Sequence, residues 1–170
     1  GGSNILLTEN VNAYIVKNEI KGFQILEEDD DHILVKVGSG EIWHQFVMWS
    51  LAHQFSGLEN LALIPGTVGA APMQNIGAYG VEQEAAFHSL NAVHIETGES
   101  HTFTKEACHL GYRESVFKSR YKDQYFITHL TYSLLKGEHP LHTNYGAIQD
   151  VLNNKNIKTP SVLDIAGAVI

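Results

Sequence analysis

The most informative stretch of the sequence is Leu63-Ile64-Pro65-Gly66-Thr67-Val68-Gly69-Ala70-Ala71-Pro72-Met73-Gln74-Asn75-Ile76-Gly77-Ala78-Tyr79-Gly80. It holds four glycines, two prolines and three alanines in eighteen positions, and it carries no charge. Glycine permits positive φ and proline fixes φ, so this composition predicts rigid, irregular backbone without a helix. An uncharged wall of small side chains and backbone amides suits a large, flat, polar ligand; a purely structural loop is the alternative.

Length and charge narrow the class of protein. A chain of 170 residues fits one domain, or one domain and part of another. Its net charge of -8, with eleven lysines and arginines and no basic stripe, argues against binding to nucleic acid. The single cysteine, Cys108, rules out an internal disulfide framework, and no apolar run has the length of a membrane span. We therefore expect a cytoplasmic globular protein.

Both ends of the chain suggest a fragment. The sequence begins without methionine and stops on the apolar pair Val169-Ile170, whereas natural termini are usually polar and exposed. Taken alone, Gly1-Gly2-Ser3 would suggest the remnant of an expression tag. We expect a partner segment to be missing.

Alternation and turn residues predict an α+β fold with a strand-rich body and few helices. The predicted strands cover 4–7, 13–16, 23–28, 32–37, 88–96, 100–103 and 125–135, and the predicted helices cover 41–54, 145–154 and 161–168. The acidic run 29–31 falls between two predicted strands, which is typical of a solvated hairpin tip rather than of a metal site.

Other motifs point to no chemistry. Gly38-Ser39-Gly40 begins a dinucleotide-type glycine pattern, but Trp43 stands where the third glycine belongs, and we assign Trp43 to the core. The ten histidines show no zinc-ligand spacing, and the nucleophile motif G-x-S-x-G does not occur. We therefore predict neither a metal site nor a serine nucleophile.

Three stretches in register identify a family. They are Gly1-Gly2-Ser3-Asn4-Ile5-Leu6, then Gly57-Leu58-Glu59-Asn60 with the glycine-rich stretch continuing to Val81-Glu82, and then Gly111-Tyr112-Arg113-Glu114-Ser115-Val116-Phe117. In this order and spacing they closely resemble the UDP-N-acetylenolpyruvoylglucosamine reductases, flavoenzymes of bacterial peptidoglycan precursor synthesis. The resemblance covers nearly all of the chain, and it places the N-terminal glycines in a flavin pyrophosphate loop rather than in a tag.

The resemblance implies an FAD-binding domain of the vanillyl-alcohol-oxidase (PCMH) type with two α+β subdomains. Residues 1–16 would be the remnant of the first subdomain, residues 17–170 would form the second, and the C-terminal substrate-binding domain would be absent. The implied reaction reduces UDP-N-acetylglucosamine enolpyruvate to UDP-N-acetylmuramate with FAD and NADPH, serving cell-wall biogenesis, cell shape and cell division. The implied enzyme is a cytoplasmic monomer.

Residue by residue, the resemblance assigns roles in the flavin site. Arg113 matches the active-site arginine, which would stabilise negative charge on the enolpyruvyl carboxylate; a surface ion pair with Glu114 or another acidic side chain is the alternative. Tyr79 and Tyr145 match substrate-binding positions, Tyr145 in the manner of members with a long tyrosine loop. The cofactor-binding set is Gly2, Ser3, Asn4, Ile64, Pro65, Gly66, Gly69, Ala70, Met73, Gly77 and Ala78, with Ala70 and Met73 toward the isoalloxazine.

The resemblance also implies that the catalytic serine and glutamate of the family lie beyond Ile170. We therefore expect residues 1–170 alone to be inactive. A second hypothesis of a different class is a non-catalytic FAD- or nucleotide-binding module, which would have no need of Arg113 facing the flavin. We predict that valine at Gly66 or Gly77 would abolish FAD affinity without unfolding the body.

Overall fold

The structure, a computed structural model, describes residues 6–170, and in that range it contains seven strands and three α-helices. In chain order they are β1 (Phe23–Glu28), β2 (His32–Gly38), α1 (Trp43–Ala52), β3 (Gly77–Ala78), β4 (Val81–Glu82), β5 (Phe87–His94), β6 (Ser100–Thr104), β7 (Tyr125–Leu135), α2 (Gly146–Asn154) and α3 (Val162–Val169). Short 3₁₀ helices cover Glu59–Leu61, Val68–Gln74, Gln83–Ala85 and Glu106–Cys108.

Five strands form an antiparallel sheet in the order β1-β2-β7-β5-β6. The central strand, β7, pairs with β2 through Val35 opposite Tyr132 and with β5 through Leu90 opposite Leu130. All four of these side chains are buried. β7 is rich in β-branched and aromatic residues, which pack well on a pleated surface, and its bounds were predicted from the sequence.

One face of the sheet is covered by α1, and aromatic side chains fill the space between them. Trp43 is fully buried and meets Phe46 and Tyr132 edge-on, at ring-centroid distances of 5.9 and 5.8 Å. Its indole N–H donates to the carbonyl oxygen of Leu61 at 2.8 Å, so the one polar atom of the side chain is satisfied. The prediction that Trp43 belongs to the core is confirmed.

The glycine pair before α1 has a packing function. A Cβ at Gly38 would lie 2.5 Å from the backbone oxygen of Ile20, and a Cβ at Gly40 would lie 2.7 Å from that of Asn18. The backbone N–H of Gly40 also donates to the Ile20 oxygen at 2.8 Å. These glycines allow residues 18–22 to lie directly on the turn, which accounts for the partial dinucleotide pattern without a nucleotide.

The structure confirms the α+β class but corrects parts of the prediction. The strand predicted over 13–16 is wrong, as is the described part of 4–7, because residues 6–16 are exposed and pair with no strand in the described chain. High β-propensity forms no strand where no neighbouring backbone completes the ladder. The expected absence of a helix between residues 63 and 80 is also wrong, because Val68–Gln74 is a 3₁₀ helix.

Candidate active site

Residues 63–78, here called the wall segment, are held in place by contacts with the turn between β2 and α1. The backbone N–H groups of Val68 and Gly69 donate to the carbonyl oxygens of Glu41 and Ser39 at 2.9 and 2.8 Å. A Cβ at Gly69 would lie only 2.7 Å from the Cβ of Ser39. Gly69 is therefore required for close approach of the 3₁₀ helix to the body of the protein.

The outer face of the wall segment is apolar and open. Leu63 and Met73 are 48% and 38% exposed, and Pro65 and Ala70 are also exposed. Gly66 has a φ of 118°, and a Cβ built on it would meet no atom within 4 Å. A neutral face of apolar side chains and small residues, open in front, fits the planar, uncharged isoalloxazine of FAD.

The C-terminal end of the wall segment, β3, turns back through a two-residue loop to pair with β4. Its connecting residues, Tyr79 and Gly80, have φ angles of 50° and 79°, as in a type I′ turn. A Cβ at Gly77 would lie 2.9 Å from the carbonyl oxygen of Val81, so glycine there permits the strands to pair. The ring of Tyr79 meets that of Tyr145 edge-on at 5.3 Å, at the N-terminal end of α2.

Beside this hairpin lies a cavity of about 770 Å³, the hairpin cavity. It contains both signs of charge, from Glu82, Glu84, Lys105 and Arg113. Five of the residues predicted as site residues line it, although they come from distant parts of the sequence: Gly77, Ala78, Tyr79, Arg113 and Tyr145. The other predicted residues that the structure describes lie on the wall segment, and Gly2, Ser3 and Asn4 fall outside the described residues.

Arg113 stands at the tip of a tight turn. Gly111 and Glu114 exchange two backbone hydrogen bonds of 3.1 Å, and Arg113 between them has a φ of 55°. Its Nη2 donates to the carbonyl oxygen of Gly77 at 2.8 Å, which joins it to the end of the wall segment. Within residues 6–170 the guanidinium makes no ion pair, and Glu114 instead accepts from the backbone N–H of Ser115.

Sequence reasoning missed the polar side chains that join these parts. Asn75 is fully buried, and its Nδ2 donates to the Glu82 carboxylate at 2.8 Å and to the Gly111 carbonyl oxygen at 3.1 Å. The buried Ser115 hydroxyl donates to the Met73 carbonyl oxygen at 2.8 Å. The asparagine within this uncharged stretch was the available signal, since asparagine tolerates left-handed backbone and Asn75 has a φ of 41°.

Among the described residues, the cysteine and possible metal ligands add no further chemistry to this site. Burial, with a smaller contribution from Glu106, raises the pKa of the Cys108 thiol to about 12, so it is protonated at neutral pH. Residues 6–170 contain no group of three or more histidine, cysteine or acidic side chains placed to hold a metal ion. In the same part of the chain, every helix is too short or too polar to cross a membrane.

Comparisons with known proteins place the chain among flavoproteins. The sequence profile of the FAD binding domain family matches residues 1–104. UDP-N-acetylenolpyruvoylglucosamine reductases from Flavobacterium johnsoniae and Amoebophilus asiaticus are each 49% identical over 170 residues, which is 100% of this chain and 50% of theirs. The reductase from Pseudomonas aeruginosa is 43% identical over 169 residues, 99% of this chain and 49% of its own. The chain thus spans about half the length of the curated relatives it matches.

A solved structure shares the fold. The crystal structure of UDP-N-acetylenolpyruvylglucosamine reductase from Thermus caldophilus superposes with a TM-score of 0.51 at 24% identity, covering 74% of this chain and 44% of that one. The resemblance to this reductase family that the sequence motifs indicated is therefore confirmed, and the prediction of FAD as cofactor agrees with the matched profile. The chain belongs to the family of FAD-binding domains.

Proposed function

We propose that this chain is the flavin-binding part of a cytoplasmic, monomeric enzyme that reduces UDP-N-acetylglucosamine enolpyruvate to UDP-N-acetylmuramate with NADPH, in peptidoglycan precursor synthesis. One observation supports it above the others. Arg113 stands beside the hairpin cavity, tied to the wall segment and free of ion pairs within residues 6–170, in a chain about half identical to named reductases.

In this proposal the wall segment binds the isoalloxazine. Ile64, Pro65, Gly66, Gly69, Ala70 and Met73 would contact the ring system, and Gly77 and Ala78 would continue that contact to the edge of the hairpin cavity. FAD, when bound, supplies the hydride chemistry. The uncharged face orients the ring without an ionic contact, while Gly2, Ser3 and Asn4 are proposed to hold the pyrophosphate through backbone amides.

Arg113 is the proposed catalytic residue. Hydride addition to the enolpyruvyl group shifts negative charge onto its carboxylate, and a guanidinium is permanently charged with donors in a fixed planar fork. The bond from Nη2 to Gly77 uses one donor and holds the plane at the cavity edge, which leaves the other N–H groups for the substrate. Such a preplaced charge gains strength as bound ligands exclude water.

The two tyrosines are proposed to bind the substrate. Tyr79 packs on the small apolar cluster between α2 and α3, and its edge-on contact with Tyr145 fixes both rings at the cavity. Each ring then carries a phenolic O–H, a neutral donor suited to the diphosphate of a sugar nucleotide. Their position at the cavity edge keeps the diphosphate on the hairpin side of Arg113.

We further propose that residues 1–170 do not complete the reaction alone. The chain spans about half the length of its curated relatives. The family resemblance implies a proton-donating serine and a glutamate that match no residue among 1–170. General acid catalysis is worth about 10²–10⁴-fold, and positioning of the substrate adds to that. The isolated segment, supplied with FAD, should therefore bind flavin without measurable turnover.

The test is NADPH oxidation dependent on the enolpyruvyl sugar nucleotide, measured on the full-length gene product. Arg113→Lys should lower turnover by about a hundredfold with little change in FAD content, because lysine keeps the charge but loses the fork. Arg120→Lys is the matched control, because Arg120 stacks on Tyr121 at the surface and should leave turnover unchanged. Absence of any NADPH oxidation by the FAD-loaded protein would favour the non-catalytic module, and full activity of Arg113→Lys would remove Arg113 from catalysis.

A further inference from the structure

A polar cluster centred on the buried side chain of Asn75 borders the hairpin cavity, and the proposed reaction makes no use of it. This Asn75 network consists of Asn75, Glu82, Gln83, Glu84 and Gly111. Asn75 ends the 3₁₀ helix of the wall segment, in left-handed backbone with φ 41° and ψ 67°, and its side chain is fully buried. Its position where three parts of the candidate site meet indicates a function beyond filling space.

Each polar atom of the Asn75 amide has partners. The Nδ2 donates to the Glu82 carboxylate at 2.8 Å and to the Gly111 carbonyl oxygen at 3.1 Å, with Glu84 at 3.5 Å. The Oδ1 accepts from the backbone N–H of Glu84 at 3.2 Å and from Nε2 of Gln83 at 3.5 Å. One side chain thus holds β4, the residues after it and the first residue of the Arg113 turn.

The contact with Gly111 connects Asn75 to the turn that carries Arg113, the proposed catalytic residue. Gly111 and Glu114 close the turn by two backbone hydrogen bonds, and Arg113 lies between them with a φ of 55°. A left-handed arginine costs conformational energy and persists where neighbouring contacts determine it. The carbonyl of Gly111 is held from the wall side by Asn75, while Arg113 itself reaches back to the carbonyl oxygen of Gly77, two residues from Asn75.

We propose that Asn75 is a positioning residue, which sets the Arg113 guanidinium relative to the flavin wall by holding the Gly111–Glu114 turn. The inference rests on the proposed function, because it assumes that Arg113 acts on a substrate beside the flavin. The side-chain amide of Asn75 thereby joins the wall segment to the turn that carries Arg113. A change at Asn75 therefore displaces the arginine from the wall without touching either ligand.

The first variant is Asn75→Gly, which keeps left-handed backbone accessible and removes every side-chain bond. Turnover per bound flavin should fall about tenfold in the full-length gene product, as expected for loss of a buried hydrogen bond that acts on catalysis. In the apoprotein, amide hydrogen exchange should rise in the peptide covering 111–114 and stay unchanged in β7. Tyr132→Phe is the control, because it breaks the bond to Gln83 on the far side of the network; it should lower stability but leave turnover per flavin and exchange in 111–114 unchanged.

A second variant pair separates the two bonds of Nδ2. In the double variant Asn75→Asp with Glu82→Gln, the glutamine amide donates and the aspartate carboxylate accepts, so the hydrogen bond between positions 75 and 82 can reform. The carbonyl oxygen of Gly111 is left without its donor. This double variant is called the pair. The pair should retain flavin and still show the loss of turnover. If the pair restores full turnover, the Gly111 contact is not what positions Arg113, and the inference is wrong.

A double-mutant comparison supplies the decisive outcome. If Asn75 acts through Arg113, then Arg113→Lys should cost less in the Asn75→Gly background than in the wild type, because the effects are not additive. Equal costs in both backgrounds, or unchanged turnover in Asn75→Gly, would overturn the inference. Loss of flavin from both Asn75 variants would also count against it, because Asn75 would then be a folding determinant. Absence of substrate-dependent oxidation in the wild type would instead refute the proposed function.

Discussion

The sheet with α1 and the wall segment with its hairpin are held together by different forces. The first region is built from apolar contacts, in which Trp43, Phe46 and Tyr132 are fully buried. The second is shaped by small residues and strained backbone: Leu63, Asn75 and Tyr79 all have positive φ although none is glycine. Apolar packing tolerates exchange of similar side chains, whereas this backbone depends on particular hydrogen bonds.

The difference matches the proposed division of labour. A flavin ring and a sugar nucleotide must be held within fractions of an ångström, and backbone fixed by several partners provides that accuracy. The buried apolar residues of this region, Val68, Ala71 and Ile76, belong to the same core as the sheet, so the region depends on the sheet beneath it. Substitutions in the first region should affect stability most, and those in the second should affect ligands most.

The largest expected loss of stability follows Trp43→Ala. Truncation of a buried tryptophan should lower the free energy of unfolding by about 3–5 kcal/mol, because it opens a cavity and leaves the Leu61 carbonyl without its donor. Trp49→Ala is the control: Trp49 is half-buried and stacks on Phe23 at the rim, so its loss should be smaller. Urea unfolding of both variants measures the difference, and equal losses would contradict the central place given to Trp43.

Valine at Gly77 and at Gly66 should separate packing from binding within the wall segment. At Gly77 the new side chain meets the Val81 carbonyl, so the hairpin shifts at a cost of about 1–3 kcal/mol. At Gly66 it meets open space, so the cost is the strain of φ 118° and the loss of room for the flavin. Both variants should lose FAD, but only Gly77→Val should become sensitive to chymotrypsin after Tyr79. Flavin retained by folded Gly66→Val would remove Gly66 from the site.

Tyr132→Phe should give a smaller effect that links the two regions. Its hydroxyl donates to Gln83 Oε1 at 2.9 Å, so phenylalanine leaves a buried acceptor unpaired at a cost of about 1–3 kcal/mol. Burial raises the pKa of the Tyr132 phenol well above its ordinary value. The folded pKa thus exceeds the unfolded one, and the wild type should lose stability as the pH rises above about 10.

The phenylalanine variant lacks that titration, so the gap between the two proteins should narrow in alkali. Unfolding by urea at neutral and alkaline pH measures it. A gap that stays constant would mean that the phenol ionises as easily in the folded protein as in the unfolded chain.

The sequence was informative where structure is local. The bounds of β7 followed from residue type, and apolar periodicity predicted the α1 helix over 41–54, where it covers Trp43–Ala52, because the side chains of both elements face a core that any sheet of this kind must have. Strand 13–16 failed because pairing depends on a partner strand that propensity does not reveal. The Asn75 network escaped prediction because Asn75 and Gly111 lie far apart in sequence, and no pattern specifies a hydrogen bond between them.

The central claim is that the outer face of residues 63–78 binds FAD, and Ala70→Asp tests it most directly. A carboxylate against the flavin ring would lose its hydration without gaining a partner, so affinity should fall sharply while this exposed position leaves the fold intact. Ala52→Asp, at the exposed end of α1, is the matched control. The measurement is flavin content per folded full-length protein after saturation with FAD. The account predicts stoichiometric FAD in the wild type and in Ala52→Asp, and none in Ala70→Asp; stoichiometric FAD in folded Ala70→Asp would contradict it.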